Sequence, residues 1–337
     1  MKKKNSFFVL CGLCLVFVLG SLNPGLAGAK EVNIDILTSS MGGAGYVMSF
    51  ALADILKKNH PSLRMRGIET TGIAENLKTL AKEPKRRKNT VIFANAATAH
   101  QAKMAHPPYT KPYGTLRIIA LFNPARLFWA TLKPNIKTPY DLIGKKVGIF
   151  PRGSSGVGIW QDLIVHGFGI KLKKIDWVHI SLGPGMNSLA DGRLDLSWAL
   201  ASPAPLNTPV FPLKKLMAHK KKVYFVGFSE KAAKAAREKT GYPVYVKSVP
   251  AGTLTPGQPE FFGQVQFLSW WADLEMDEKV VYEITKTIYE NVDKFAGYHA
   301  LGKTMTKTSI SRAVVEDMFH PGAIKLYKEK GVKIGLK

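Results

Sequence analysis

From residue 32 to residue 201 short β-rich runs alternate with stretches of helical periodicity, and no other feature restricts the possible folds as strongly. Val32–Leu37 (VNIDIL), Leu63–Ile68 and residues 91–94 (VIFA), 117–122 (RIIALF), 146–150 (KVGIF), 176–180 (DWVHI) and 195–201 (DLSWALA) read as strands. Between them, residues 45–60 place Val47, Ala51, Ile55 and Leu56 on one helical face, and 74–81 and about 157–166 read as further helices. Strands that alternate with helices need crossover connections, which gives a parallel-rich α/β sheet with helices on both faces. No internal repeat is evident. Three of the strand-to-helix turns are rich in small polar residues: 38–45 (TSSMGGAG), 70–72 (TTG) and 153–156 (GSSG). In an open α/β sheet ligands bind beyond the carboxyl ends of strands. There the first turn of a helix offers unpaired N–H groups and a positive dipole end, so the three turns together point to a shared anion site.

The N-terminus has the form of an export signal. Lys2, Lys3 and Lys4 precede an apolar run at 7–19, and Ala27-Gly28-Ala29 is an A-x-A cleavage site, so the mature chain is expected to start near Lys30. The apolar run, 13 residues, is short of the ~20 needed to cross a bilayer. Cys11 and Cys14 both fall inside this peptide, which leaves a mature chain without disulfides, thiolate nucleophiles or cysteine-held metals. Without the three leader lysines, 45 basic residues face 24 acidic ones, a net charge of +21. Such an excess concentrates anions near the surface. It is dispersed, however, with dense spots only at 82–88, 171–174, 214–215 and 220–222, and no zinc-finger spacing or RNA-binding aromatic run accompanies it. A nucleic-acid partner is therefore not expected.

Catalytic arrangements are missing from the pattern. Gly153-Ser154-Ser155-Gly156 is neither a nucleophile elbow nor a P-loop, and 42–45 lacks dinucleotide-fingerprint spacing. The eight histidines form no H-E-x-x-H; His100 and His106 fall in what reads as a solvated loop. Asp191 and Asp195, around Gly192, read as turn and strand-start residues. The aromatics Phe261, Phe262, Phe267, Trp270 and Trp271 read mainly as core. The expectation is a chain that is not an enzyme and needs no cofactor or metal.

Motifs in order along the chain resemble the TAXI family of TRAP-associated extracytoplasmic solute receptors. They are residues 40–46 (SMGGAGY), 70–77 (TTGIAENL), 141–147 (DLIGKKV) leading into Gly153-Ser154, 189–195 (LADGRLD), 280–295 and the closing 320–327 (HPGAIKLY), the most specific of them. Resemblance implies a type II periplasmic-binding-protein fold, two α/β lobes joined by crossing segments with the ligand between them. It also implies a periplasmic location and delivery of a small, carboxylate-type anionic solute to TRAP membrane permease subunits. A receptor of the same fold serving an ABC importer or a sensor kinase is the alternative. The three polar turns coincide with the family's ligand loops. Some positions depart from the family: Gly45 replaces a tyrosine, Ile73 a serine, Ser155-Gly156 a Gly-Thr pair, and Arg152 stands where small residues are usual.

These readings combine into explicit expectations. Residues 1–29 form the signal peptide, 30–124 with 225–337 the first lobe and 125–224 the second, with crossings near 123–132 and within 203–223. The acidic end of the ligand is expected on N–H groups of Gly153, Ser154, Ser155 and Gly156 and of the Ser40, Gly42, Gly43 turn, neutralised by Arg152. Thr71 and Gly72 line the second turn, while Tyr46, Asn76, Asn95 and Ser202 give direction.

Overall fold

Alternation of β-branched Val32, Ile34 and Ile36 with polar Asn33 and Asp35 makes β1 (Val32–Leu37) a strand with Ile34, Ile36 and Leu37 buried. It leads into α1 (Ala44–Asn59), whose Met48, Leu52, Ile55 and Leu56 cover the sheet. β2 (Leu63–Ile68), α2 (Ile73–Lys82), β3 (Thr90–Asn95) and α3 (Ala96–Lys103) follow. Next come β4 (Leu116–Thr131), β5 (Lys146–Ile149), α4 (Ser155–Asp162), β6 (Asp176–His179), α5 (Leu182–Ala190) and β7 (Leu196–Ala201). The remainder is α6 (Phe211–His219), β8 (Tyr224–Val226), α7 (Glu230–Thr240), β9 (Val246–Val249), β10 (Phe261–Asp273), α8 (Glu278–Glu290) and α9 (Pro321–Glu329). This computed structural model describes residues 31–39, 41, 44–152, 154–202, 208–220, 222–312 and 316–335, with backbone alone at 123, 124 and 155. The signal peptide expected at 1–29 lies outside the described residues.

The strands join in the order β2-β1-β3-β10-β4-β7-β5-β6, with β8 on β4 and β9 on β10. β1 is parallel to β2 and β3, and β5 is parallel to β6 and β7. Between these two parallel sets run β4 and β10, antiparallel to each other and to their outer neighbours β7 and β3. The mixed α/β class and the two lobes expected from the sequence are both present. One core gathers β1–β3, α1, α2 and α8 around Ile36, Leu52, Phe122 and Trp270. The other lobe is covered on both faces of its sheet, because Ala125, Leu127 and Trp129 of β4 enter one cluster while Phe128 and Ala130 enter another. This is the two-residue period of a strand buried on both sides.

The first changeover between cores falls between Phe122 and Ala125. The second does not fall within 203–223. Leu213 and Leu216 of α6 stay with the second lobe, as do Val226, Phe228, Ala233, Tyr242 and Val246. The change occurs on β10, between Phe262 and Phe267. Both crossings are thus long strands, and a strand interior carries no turn signal that could mark them.

The closing HPGA motif works as structure. His320 caps α9, its Nδ1 accepting the Gly322 N–H at 3.2 Å, and Pro321 occupies the first helical position where its missing N–H costs nothing. A Cβ on Gly322 would lie 2.3 Å from the Glu278 carbonyl oxygen, so glycine is what lets α9 reach α8. Tyr327 is wholly buried and its hydroxyl donates to the Ile119 carbonyl on β4 at 2.9 Å.

Candidate functional site

The register of the two crossing strands fixes where the lobes face one another. Asn95, the last residue of β3, is level with Leu268 on β10, which is level with Asn123 on β4. Three residues further along β4, Arg126 is level with Ala201, the last residue of β7. The parallel set of each lobe therefore ends toward the other, across an interval of roughly 10 Å at ~3.3 Å per residue. Carboxyl ends of strands with the helix starts that follow them are where α/β sheets hold ligands.

In the first lobe the turns after β1 and β2 are tied together. Asn76 of α2 is 0% exposed; its Nδ2 donates to the carbonyls of Leu37 (3.2 Å), Thr38 (2.7 Å) and Phe93 (2.9 Å). Its Oδ1 accepts from the Thr70 hydroxyl at 2.7 Å, and that hydroxyl in turn accepts the Gly72 N–H at 3.2 Å. Asn76, expected to direct the ligand, thus holds the ends of β1, β2 and β3 in place and presents no surface. Gly72 sits at φ 130°, a conformation that favours glycine, so the TTG turn depends on it. Thr71 beside it is exposed. Tyr46 is half-buried with its ring 4.5 Å from that of Phe50. Gly45 has a steric reason: a Cβ there would stand 2.3 Å from the Phe93 ring, which fills the space next to it. Ser40, Gly42 and Gly43 lie outside the described residues. The exposed Glu69, which the sequence reading missed, accepts the Met41 N–H at 2.8 Å, occupying one backbone donor of the opening turn.

Asn95 differs from Asn76. It caps α3, with Oδ1 accepting from the Thr98 N–H (2.8 Å) and hydroxyl (3.0 Å). Its Nδ2 is buried without a hydrogen-bond partner although the residue is only 2% exposed. The hydroxyl of Ser39, at the end of β1, is also buried and unpartnered. An unmade hydrogen bond of this kind costs about 1–3 kcal/mol, and a ligand acceptor at the strand ends would recover it. Ser39 was passed over in favour of Ser40, because adjacent serines in a turn look alike in sequence.

In the second lobe Ser154 caps α4, its hydroxyl accepting the Gly156 N–H at 3.3 Å. Gly156 is buried, and a Cβ there would meet the Phe150 ring at 2.6 Å. Arg152 stands exposed on the turn before α4. Gly153 lies outside the described residues, and of Ser155 only the backbone is described. Ser202 follows β7, 9% exposed, with its N–H donating to the Thr208 carbonyl at 2.9 Å.

Away from the strand ends the chemistry is structural. Asp195 accepts the Lys146 N–H at 2.7 Å and pairs with the Lys133 ammonium; burial works to raise its pKa, but those donors hold it below the usual carboxylate value. Asp191 pairs with Arg193 at 2.6 Å. Trp270 and Trp271 are core, as expected, donating to Ser49 (3.0 Å) and Ser269 (2.8 Å). His100 departs from expectation. It lies in α3, half-buried with its ring 5.0 Å from that of Tyr242, and His106 Nδ1 is 3.0 Å from the Tyr242 hydroxyl. Those contacts join the lobes, and tertiary packing of this sort leaves no local sequence signal. Among the described residues no group of three or more His, Cys, Asp or Glu is placed to hold a metal, and no helix is long and apolar enough to cross a membrane.

Three solved structures are similar to this chain. MatC from Rhodopseudomonas palustris with bound malate is 12% identical over 90% of this chain and 97% of its own, with a TM-score of 0.49. The periplasmic aliphatic sulphonate binding protein SsuA from Escherichia coli is 13% identical over 90% and 93%, TM-score 0.47. A TctC solute binding protein from Polaromonas is 13% identical over 84% and 90%, TM-score 0.46. At the level of sequence, residues 36–331 match the NMT1-like family, and the chain belongs to that family.

Proposed function

We propose that the chain is the extracytoplasmic solute-binding receptor of a TRAP transporter. It captures a small carboxylate-type solute between its lobes, does no chemistry on it, and presents it to the membrane permease. The observation that carries this reading is the opposition of two sets of strand ends across roughly 10 Å, an interval suited to a small molecule. Unpartnered donors on Asn95 and Ser39 lie on one side and the capped start of α4 on the other. The twofold excess of basic over acidic residues, 48 against 24, favours an anion. Tyr46, Thr71, Gly72, Asn95, Ser154, Gly156 and Ser202 are its contact residues, together with the Ser40, Gly42, Gly43 turn and Gly153-Ser155. Thermal-shift screening of the chain without residues 1–29 against carboxylates, amino acids, sulfonates and uncharged controls tests it, since a ligand that binds only the folded state raises Tm. Stabilisation by a narrow set of carboxylates, each recovered unchanged at one per chain, is expected. Stabilisation by sulfonates alone, or conversion of the compound, sinks this reading.

A further inference from the structure

Near the strand ends one crossing strand carries a half-buried cationic side chain. Arg126 belongs to β4, with β10 on one side of it (Val265) and β7 on the other (Ala201). Its neighbours Ala125 and Leu127 enter one core cluster, while Phe128 and Ala130 enter the other. By the strand's alternation Arg126 shares the face of Phe128 and Ala130. Arg126 is the last residue of this row before the interval between the lobes, three residues from the level of Asn95.

The neighbouring backbone accommodates it. A Cβ on Gly263 of β10 would stand 3.0 Å from the Arg126 Cβ and 3.3 Å from the Leu127 carbonyl oxygen, so glycine there leaves space for the arginine stem. Burial costs the charge: desolvation pushes the Arg126 pKa down to about 10, which still leaves it cationic at neutral pH. A guanidinium in such surroundings gains more from an anion than one in water, because the interaction is less screened. Arg152, by contrast, is exposed on its turn, where water and salt screen an ion pair.

We propose that Arg126, on the strand that joins the lobes, holds the acidic group of the ligand through its planar fork, with the unpartnered Asn95 amide donating from the first lobe. Arg152 is a peripheral charge that affects approach more than retention. This assignment rests on the receptor reading above and names the residue that gives it anion selectivity. A carboxylate matches the guanidinium bidentately, which a lysine at the same position does not reproduce. Placed on a crossing strand, the arginine belongs to neither lobe's turns, so the ligand is fixed at the axis about which the lobes meet.

The test is isothermal titration of the chain lacking residues 1–29, and of its R126Q, R126K and R152Q variants. Probes are succinate, 2-oxoglutarate, glutamate and benzoate, with glucose and putrescine as uncharged and cationic controls. Circular dichroism and Tm report folding of each variant. For the carboxylate that binds best, R126Q is expected to lose about a hundredfold in affinity, R126K about tenfold, and R152Q no more than about twofold. R126K keeps the stem and the charge and gives the reading if R126Q fails to fold. Wild-type binding of a carboxylate with R126K and R126Q both within threefold of it overturns this assignment and leaves the receptor reading standing. Loss confined to R152Q does the same. A wild-type chain that binds only glucose or putrescine, or none of the six, counts against both.

Discussion

The turns of the two lobes reach the ligand interval with similar residue types but different construction. In the first lobe Thr70, Gly72 and Asn76 form one hydrogen-bonded unit that fixes three strand ends, and the groups left over, on Ser39 and Asn95, are few and buried. In the second, Ser154 caps α4 and a glycine seats it against Phe150, with no comparable network among the described residues. Polar residues at strand ends thus divide into those that build the turn and those that remain for a ligand. Neither residue type nor burial separates the two groups, whereas the number of hydrogen-bond partners does.

The largest expected effect breaks the built half. Asn76→Ala removes all four side-chain bonds of a fully buried residue, and should cost about 3–4 kcal/mol by urea denaturation. If stability instead holds while ligand affinity collapses, the division drawn between Asn76 and Asn95 is wrong. Next, Gly322→Ala should cost about 2–3 kcal/mol, because its Cβ meets the Glu278 carbonyl where α9 touches α8. Gly183→Ala in α5 of the second lobe, with nothing within 4 Å, should be neutral or stabilising by up to about 1 kcal/mol. Equal losses at both glycines would mean that the close approach to the Glu278 carbonyl does not set the cost.

Asn95→Ala should show the reverse balance to Asn76→Ala. Loss of the α3 cap costs about 1 kcal/mol, while affinity for the bound carboxylate falls about tenfold. An unchanged affinity would return the Asn95 amide to a purely structural role. The smallest effect is on pH. Burial lowers the pKa of His100, His299 and His320, all in the first lobe. Each binds its proton more readily unfolded, at about 6.5, than folded. Their contribution is complete above that value and is lost as the pH falls from it toward the lowered folded pKa values. Amide exchange at pH 7.5 and 5.5 should show first-lobe protection weakening in acid more than that of β5–β7, and uniform weakening would discount the three histidines.

Local patterns were legible wherever local chemistry decides the outcome. The bounds of β1 and β2 follow directly from VNIDIL and LRMRGI, and the small-residue turns fall at strand ends as read. What failed to show depends on distant packing. β4 runs through Asn123-Pro124, a pair that signals a turn, because β10 pairs alongside it there. The same run hides Arg126 among LFWA, where it looks like the start of a linker. Asn76 and Asn95 are the same residue type, each buried near the start of a helix, and only the vacant donor of Asn95 tells them apart. The HPGA motif caps α9 and lets it pack against α8, a long-range role that its residue types alone do not reveal.

The paired β4 and β10 also have a mechanical meaning. Two antiparallel strands bonded along their shared length form a ribbon, and a ribbon resists shear while yielding to twist. Register shifts between Leu268 and Ser269 and between Trp270 and Trp271 mark where it is already kinked, just inside the first lobe. Any relative rotation of the lobes must be torsion of this ribbon, more like a leaf spring than a loose hinge, because both crossings between the cores are paired strands.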